Sequence, residues 1–125
     1  MSKDSKKSKV KTGYRKLIIW NESHKLMLAI YKITENFPGS ELFGIISQLR
    51  RASLSIPTNI VEGYSGKSKK MFYRYLDIAF RSACEVEYLL EASRELKYLS
   101  NENYKILESQ RAKTIALLRK FINSI

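Results

Sequence analysis

Hydrophobic residues recur at intervals of three and four along most of this chain, which is the spacing of one face of an α-helix. Two stripes are regular: Leu42, Ile46, Leu49, Ser53, Ile56 and Ile60, then Phe72, Leu76, Ala79, Ala83, Val86 and Leu90. Two looser sets flank them: Met27, Leu28, Ile30, Tyr31 and Ile33 before, and Tyr104, Leu107, Leu118, Phe121 and Ile125 after. Nothing shows the alternation of a strand, so the pattern predicts four helices.

Residues that stop or cap helices divide these stripes. The first helix is predicted over about 20–36, because Pro38 disfavours helical geometry at Phe37. The second ends near 63–66 and the third near Lys97. The predicted N-caps of the second, third and fourth helices are Ser40, Ser68 and Ser100. Pro57 lies within the second stripe, which continues on both sides of it, so we predict a kink there and not a break.

The short connections force neighbouring helices to run antiparallel. The predicted fold class is therefore all-α, an antiparallel up-down-up-down four-helix bundle over residues 17–125. Residues 1–16 are rich in Lys and Ser and have no periodicity, which predicts a disordered basic N-terminal tail.

Charge is the strongest compositional signal. The 125 residues hold 23 Lys and Arg against 12 Asp and Glu, a net charge of +11. Such a protein is attracted to polyanions, either nucleic acid or an acidic membrane surface, although a Lys-rich tail can also serve solubility alone. With one Cys, no secretory signal and no apolar run near ~20 residues, we expect a cytoplasmic protein without a membrane span.

Basic residues interleaved with aromatic ones are the best functional lead. The nucleic-acid-binding candidates are Lys67, Lys69, Lys70, Tyr73, Arg74, Arg81, Arg111, Lys113, Arg119 and Lys120. An exposed tyrosine can stack on an unpaired base while cations contact phosphates, which favours RNA. The alternative interpretation of this set is an ordinary solvated helix surface.

Catalytic and metal chemistry find little support in the sequence. Gly66-Lys67-Ser68 ends like a phosphate-binding loop, but Val61 stands where that motif needs glycine, and the segment follows a helix. His24 and Cys84 are the sole residues of their types, too few for a zinc site or an ordinary nucleophile and base. We expect no catalytic residues, no cofactor and no metal, and therefore a protein that is not an enzyme.

Six polar residues are candidates for structural ion pairs or polar contacts: Arg50, Arg51, Asn59, Glu62, Glu85 and Glu87. A partly buried arginine normally requires a carboxylate partner. One of the two arginines is therefore expected to pair with Glu62, Glu85 or Glu87.

Three segments carry a resemblance to a known family. They are Phe37–Gly44, then Gln48–Ala52 with Ser55–Gly63, and Lys70–Ala79 with the pair Glu85 and Glu87. They resemble motifs of the four-helix bundle proteins encoded by intervening sequences in bacterial 23S rRNA genes, with Val61 in place of the usual Ala. The resemblance covers about residues 17–125. It implies a left-handed bundle, often a ring-like homopentamer. It also implies a relation to the accessory (Avd-like) proteins of diversity-generating retroelements, which bind a reverse transcriptase and its RNA.

Two hypotheses about function follow. The first is a non-enzymatic, oligomeric, RNA-associated protein that acts as an adaptor. The second is a protein-interaction scaffold, the accessory subunit of a retroelement reverse transcriptase. A third, an enzyme whose site forms only between subunits, is kept as the remaining alternative.

Overall fold

The computed structural model describes residues 12–125, and within them the chain is all-helical. Its four helices are α1 (Ile18–Thr34), α2 (Ile45–Ser65), α3 (Lys69–Glu95) and α4 (Asn101–Ser124), with 3-10 turns at Gly13–Lys16 and Gly39–Glu41. No strand occurs in this part of the chain. The predicted fold class is confirmed. Residues 1–11, most of the predicted tail, lie outside the described residues.

Each helix packs against its neighbours in the chain, and α1 also packs against α4, which closes the bundle. Side-chain hydrogen bonds at the two ends of the bundle are consistent with the antiparallel alignment. The Tyr73 hydroxyl, near the start of α3, donates to the carbonyl of Ile122, near the end of α4, at 3.1 Å. At the other end, the Tyr98 hydroxyl donates to the Glu41 carboxylate at 2.9 Å.

Two of the three predicted helix caps are confirmed. The Ser68 hydroxyl accepts from the Met71 N–H, and the Ser100 hydroxyl accepts from the Asn103 N–H. The prediction for Ser40 is wrong, because this residue lies in the 3-10 turn and α2 begins only at Ile45. There the Glu41 carboxylate folds back and accepts from the Ile45 N–H at 3.3 Å.

The two regular stripes form the centre of the core. In α2 the stripe is buried from Ile46 onward, whereas Leu42 precedes the helix and is 50% exposed. In α3 it is buried from Leu76 onward, and Phe72 packs against its edge. α2 runs without interruption through Pro57, as predicted, and the kink itself stays a prediction.

The first and last helices, α1 and α4, differ from the prediction in which residues face the core. α1 buries Ile19, Leu26 and Ile30, while Leu28, predicted on its apolar face, is 53% exposed. α4 buries Arg111 and Thr114 between Leu107 and Leu118. All four positions continue one 3-4 spacing, so the polar pair occupies core positions.

Four residues of the predicted tail are structured in the described chain. Gly13–Lys16 form a turn, and the Tyr14 ring meets the Trp20 ring edge-on at 5.1 Å. Trp20 in turn stacks on His24 at 4.7 Å. The single histidine is thus a packing residue of the first helix.

Candidate nucleic-acid interface

The antiparallel alignment collects separate basic segments at one end of the bundle. The end of α2, the start of α3, the end of α4 and the turn before α1 all meet there. Aromatic contacts join them: the Phe72 ring lies 6.2 Å from Tyr64 and 5.8 Å from Phe121, and the Lys16 ammonium lies 5.9 Å from the Tyr64 ring. We call this region the cationic end. Its cations are Arg15, Lys16, Lys67, Lys69, Lys70, Arg74, Arg119 and Lys120, all exposed.

The cationic end holds the whole excess charge of the described chain. Residues 12–125 contain 18 Lys and Arg and 11 Asp and Glu. Eight of these cations lie at the cationic end, within two turns of a helix terminus. Glu62 is the exposed acid among them, and Asp77, one turn beyond Arg74, is paired with Arg81. The remaining ten cations and ten acids balance. The net charge of +7 therefore belongs to one end of the molecule.

No cation of this end forms an ion pair with any residue among 12–125. The guanidinium of Arg15 lies over the Tyr14 ring at 4.8 Å, and that of Arg119 lies over the Phe80 ring at 5.2 Å. Contacts of this kind orient a cation and leave its charge unneutralised. The charges are therefore free to contact phosphates.

Tyr73 provides an aromatic surface among these cations. Its side chain is 42% exposed, and its hydroxyl is held by the Ile122 carbonyl. On α3 it lies one turn from Lys69 and Lys70 and next to Arg74. A ring fixed in this way can stack on an unpaired base at little entropic cost.

Three of the ten predicted contacts, Arg81, Arg111 and Lys113, lie away from the cationic end. Arg81 pairs with Asp77 at 3.0 Å, with both side chains largely in solvent. Lys113 pairs with Glu22 at 3.4 Å. The other seven predicted residues lie at the cationic end.

The prediction that Arg111 contacts nucleic acid is wrong, because the residue is 5% exposed. Its guanidinium donates two hydrogen bonds to Glu108, at 2.9 and 2.7 Å, and lies 3.6 Å from Glu87. The hydrogen bond to Glu108 raises the pKa of Arg111, against the opposing effect of burial. Arg111 is a structural ion-pair residue.

The expected pairing of Arg50 or Arg51 is wrong as well. The Arg50 guanidinium donates to the Thr34 hydroxyl at 2.9 Å and to the Tyr31 carbonyl at 3.2 Å. These neutral acceptors replace the carboxylate. Arg51, Glu62 and Glu85 are exposed and form no ion pair with described residues, and Asn59 donates to the Ser55 carbonyl. Of the three glutamates, only Glu87 pairs with an arginine, and its partner is Arg111.

Sequence reasoning missed Glu22, which is 5% exposed. Its carboxylate accepts from the Gln110 amide at 2.9 Å and lies 3.3 Å from Lys25 and 3.4 Å from Lys113. The hydrogen bond from Gln110 lowers the pKa of Glu22, burial opposes this, and the two lysines lower it further. The spacing could have revealed its burial, because Ile19, Glu22 and Leu26 follow the 3-4 pattern of one helix face. This group ties α1 to α4.

A groove between α2 and α3 was also not predicted. Its volume is about 430 Å³, and it is lined by Phe43, Ser47, Gln48, Arg51, Ala52, Ser55, Ser82 and Glu85. Phe43, at its mouth, is 93% exposed. The groove lies nearer the opposite end of the bundle from the cationic end.

Among residues 12–125, no group of three or more His, Cys, Asp or Glu side chains could hold a metal ion. No helix within this range is long and apolar enough to cross a membrane.

Fold and charge define a basic, antiparallel four-helix bundle with one cationic end. The sequence model of the 23S rRNA-intervening sequence proteins matches residues 15–120, and the chain belongs to that family. A similar solved structure is that of a protein with unknown function from the S23 ribosomal protein family of Bacteroides thetaiotaomicron. It shares 28% identity, with a TM-score of 0.76, over 84% of this chain and 98% of that one. No curated protein gives a significant match.

Proposed function

We propose that this protein is a non-enzymatic adaptor that binds RNA through its cationic end. One observation carries the proposal. The entire excess charge of residues 12–125 lies at one end, on exposed cations that no carboxylate neutralises.

Binding of this kind is driven by release of the counterions condensed on the nucleic acid. Contacts to phosphates position the protein and carry little sequence information. Tyr73 adds a surface on which an unpaired base stacks, which favours single-stranded segments of RNA. Binding is therefore expected to be steeply salt-dependent and only weakly sequence-selective.

The test compares two matched charge reversals. Lys69→Glu with Lys70→Glu changes the cationic end, and Lys97→Glu with Lys105→Glu makes the same change in charge at exposed positions elsewhere. Affinity for a single-stranded RNA is measured by fluorescence anisotropy between about 50 and 200 mM salt. We expect a loss of at least ~10-fold for the first pair and below ~3-fold for the second, with a shallower salt dependence for the first.

Equal losses for the two pairs would show that net charge alone governs binding and would refute a localised interface. An affinity that does not change with salt would refute the electrostatic basis of the proposal.

Self-association is part of this proposal, with the homopentamer implied by the family resemblance as the favoured form. Its support is an apolar cleft of about 240 Å³ between α1 and α4, which includes Ala29, Ile33 and Leu107. Ile106, on its edge, is 61% exposed. A ring of subunits would repeat the cationic end once per subunit and raise the avidity for RNA. Light scattering should give a multiple of the 14.6 kDa chain, and Ile106→Asp should reduce it, whereas Ile78→Asp on another face should not.

The second candidate function is that of an Avd-like accessory subunit of a retroelement reverse transcriptase. It is favoured by apolar side chains exposed near the end opposite the cationic one: Leu42 at 50%, Tyr88 at 68% and Leu96 at 53%. Exposed apolar groups are typical of surfaces that meet another protein. A gene for a reverse transcriptase beside this gene, and a complex that survives high salt, would favour this function over the first.

A further inference from the structure

The groove between α2 and α3 is built as a polar site with an aromatic edge. Ala52 lies at its floor, where the hydroxyls of Ser55 and Ser82 bond across the two helices at 2.9 Å. Arg51 from α2 and Glu85 from α3 contribute to its lining. Its volume of about 430 Å³ falls in the range of pockets that hold small ligands.

Three polar side chains of this groove, Gln48, Arg51 and Glu85, have no partner in the described chain, whereas Ser55 and Ser82 bond to each other. Within the described chain Arg51 and Glu85 form no ion pair, and the Gln48 amide forms no hydrogen bond. A guanidinium only donates, a carboxylate only accepts, and an amide does both. The charges of Arg51 and Glu85 also cancel. The groove therefore suits a neutral ligand that carries donors and acceptors on one edge, and suits a bare phosphate poorly.

The exposed ring of Phe43 indicates the shape of the ligand. This ring is 93% exposed at the mouth of the groove, so its apolar surface stays in contact with water in the free protein. Planar groups stack on such a ring. A nucleobase combines a planar ring with donors and acceptors on its edges, and it is the group that an RNA strand supplies.

The position of the groove connects it to the cationic end. Glu85, Arg81 and Arg74 are separated by four and seven residues, so they lie on one side of α3. From Glu85 to Arg74 the helix rises about 16 Å. A single strand held at Arg74 and its neighbours can therefore reach the groove within a few nucleotides.

We propose that this groove binds one unpaired guanine of an RNA strand whose backbone lies on the cationic end. Guanine presents N1–H and N2–H₂ to the Glu85 carboxylate and O6 and N7 to the Arg51 guanidinium, while its face stacks on Phe43. The inference rests on the proposed function and adds a base preference to it.

The experiment uses two labelled ten-nucleotide RNAs, oligouridine with one central guanine and the same strand with adenine in its place. The full-length protein should bind the first about 10-fold more tightly. Phe43→Ala should lower that affinity about 10-fold without changing the salt dependence, since it removes base stacking and no charge. Glu85→Gln should abolish the preference for guanine. Leu28→Ala, which removes an exposed apolar side chain of α1 away from the groove, is the control.

Equal affinity for the two strands, or equal effects of Phe43→Ala and Leu28→Ala, would overturn the assignment of the groove. The proposed function would survive if reversal of Lys69 and Lys70 still removed binding, and would fail together with this inference if no strand bound at low salt. A fall in the molecular mass of Phe43→Ala with intact binding of both strands would assign Phe43 to a protein contact and also overturn the proposal.

Discussion

At the cationic end, eight Lys and Arg side chains lie in solvent with no carboxylate partner in the described chain. Further along the bundle, Glu22 and Arg111 are 5% exposed, and each is held by several polar groups. We call these two residues and their partners the buried charge layer. Both regions are made of the same residue types, yet their surroundings are opposite.

The difference follows from the cost of removing charge from water. A buried charge loses its hydration and must recover that free energy from close, well-aligned partners. Arg111 does so with two hydrogen bonds to Glu108, and Glu22 does so with Gln110 and two lysines. An exposed lysine keeps its hydration and needs no partner. The fold therefore requires the buried charge layer but not the charges of the cationic end, whose mutual repulsion favours an anionic ligand.

The largest effect is expected for Glu108→Ala. Arg111 would keep only Glu87, 3.6 Å away and 56% exposed, so its guanidinium would be poorly compensated. The free energy of unfolding should fall by about 3 kcal/mol, while affinity for RNA should not change. Urea denaturation followed by circular dichroism measures the free energy of unfolding.

Glu91→Ala provides the control for this variant, because Glu91 is an exposed acid of α3 without an ion pair in residues 12–125. It should change stability by less than about 0.5 kcal/mol. If the free energy of unfolding fell equally in both variants, burial would not be the property that distinguishes the two regions.

An intermediate, pH-dependent effect is expected for Glu22→Gln, which removes the charge and keeps the shape. Because the folded protein lowers the pKa of Glu22, the ionised carboxylate stabilises the fold above its unfolded pKa. That contribution is lost as pH falls through the lower folded pKa. The variant should be about 1–2 kcal/mol less stable at pH 7, and the difference should shrink towards pH 3. A difference that stayed constant over this range would point to packing instead of charge.

Much of the fold could be predicted because it depends on regular local signals. The stripes from Ile46 to Ile60 and from Leu76 to Leu90 follow the helical period, and Ser68 and Ser100 precede helices directly. The prediction that Ser40 caps α2 was wrong because the backbone makes a further turn before the helix begins. A capping residue can be identified only once the start of the helix is known.

The two regions differed in how far the sequence revealed them. The cationic end was visible as basic segments, and only the antiparallel alignment joins Lys67–Arg74 to Arg119 and Lys120. The buried charge layer was hidden, because Arg111 was judged by its charge and not by its place in the 3-4 spacing. Phe43 and its groove depend on how the turn before α2 folds, which no periodic pattern encodes.

The smallest effect concerns Lys113, which belongs to the buried charge layer by contact and is 58% exposed. Lys113→Ala should lower the free energy of unfolding by less than about 1 kcal/mol, since a partly exposed ion pair is screened by solvent. Its affinity for RNA should stay within about 2-fold. Lys120→Ala, the matched change at the cationic end of the same helix, should leave stability unchanged and reduce the salt slope by about one. If Lys113→Ala weakened RNA binding as much as Lys120→Ala did, the interface would extend along α4 and the separation of the two regions would fail.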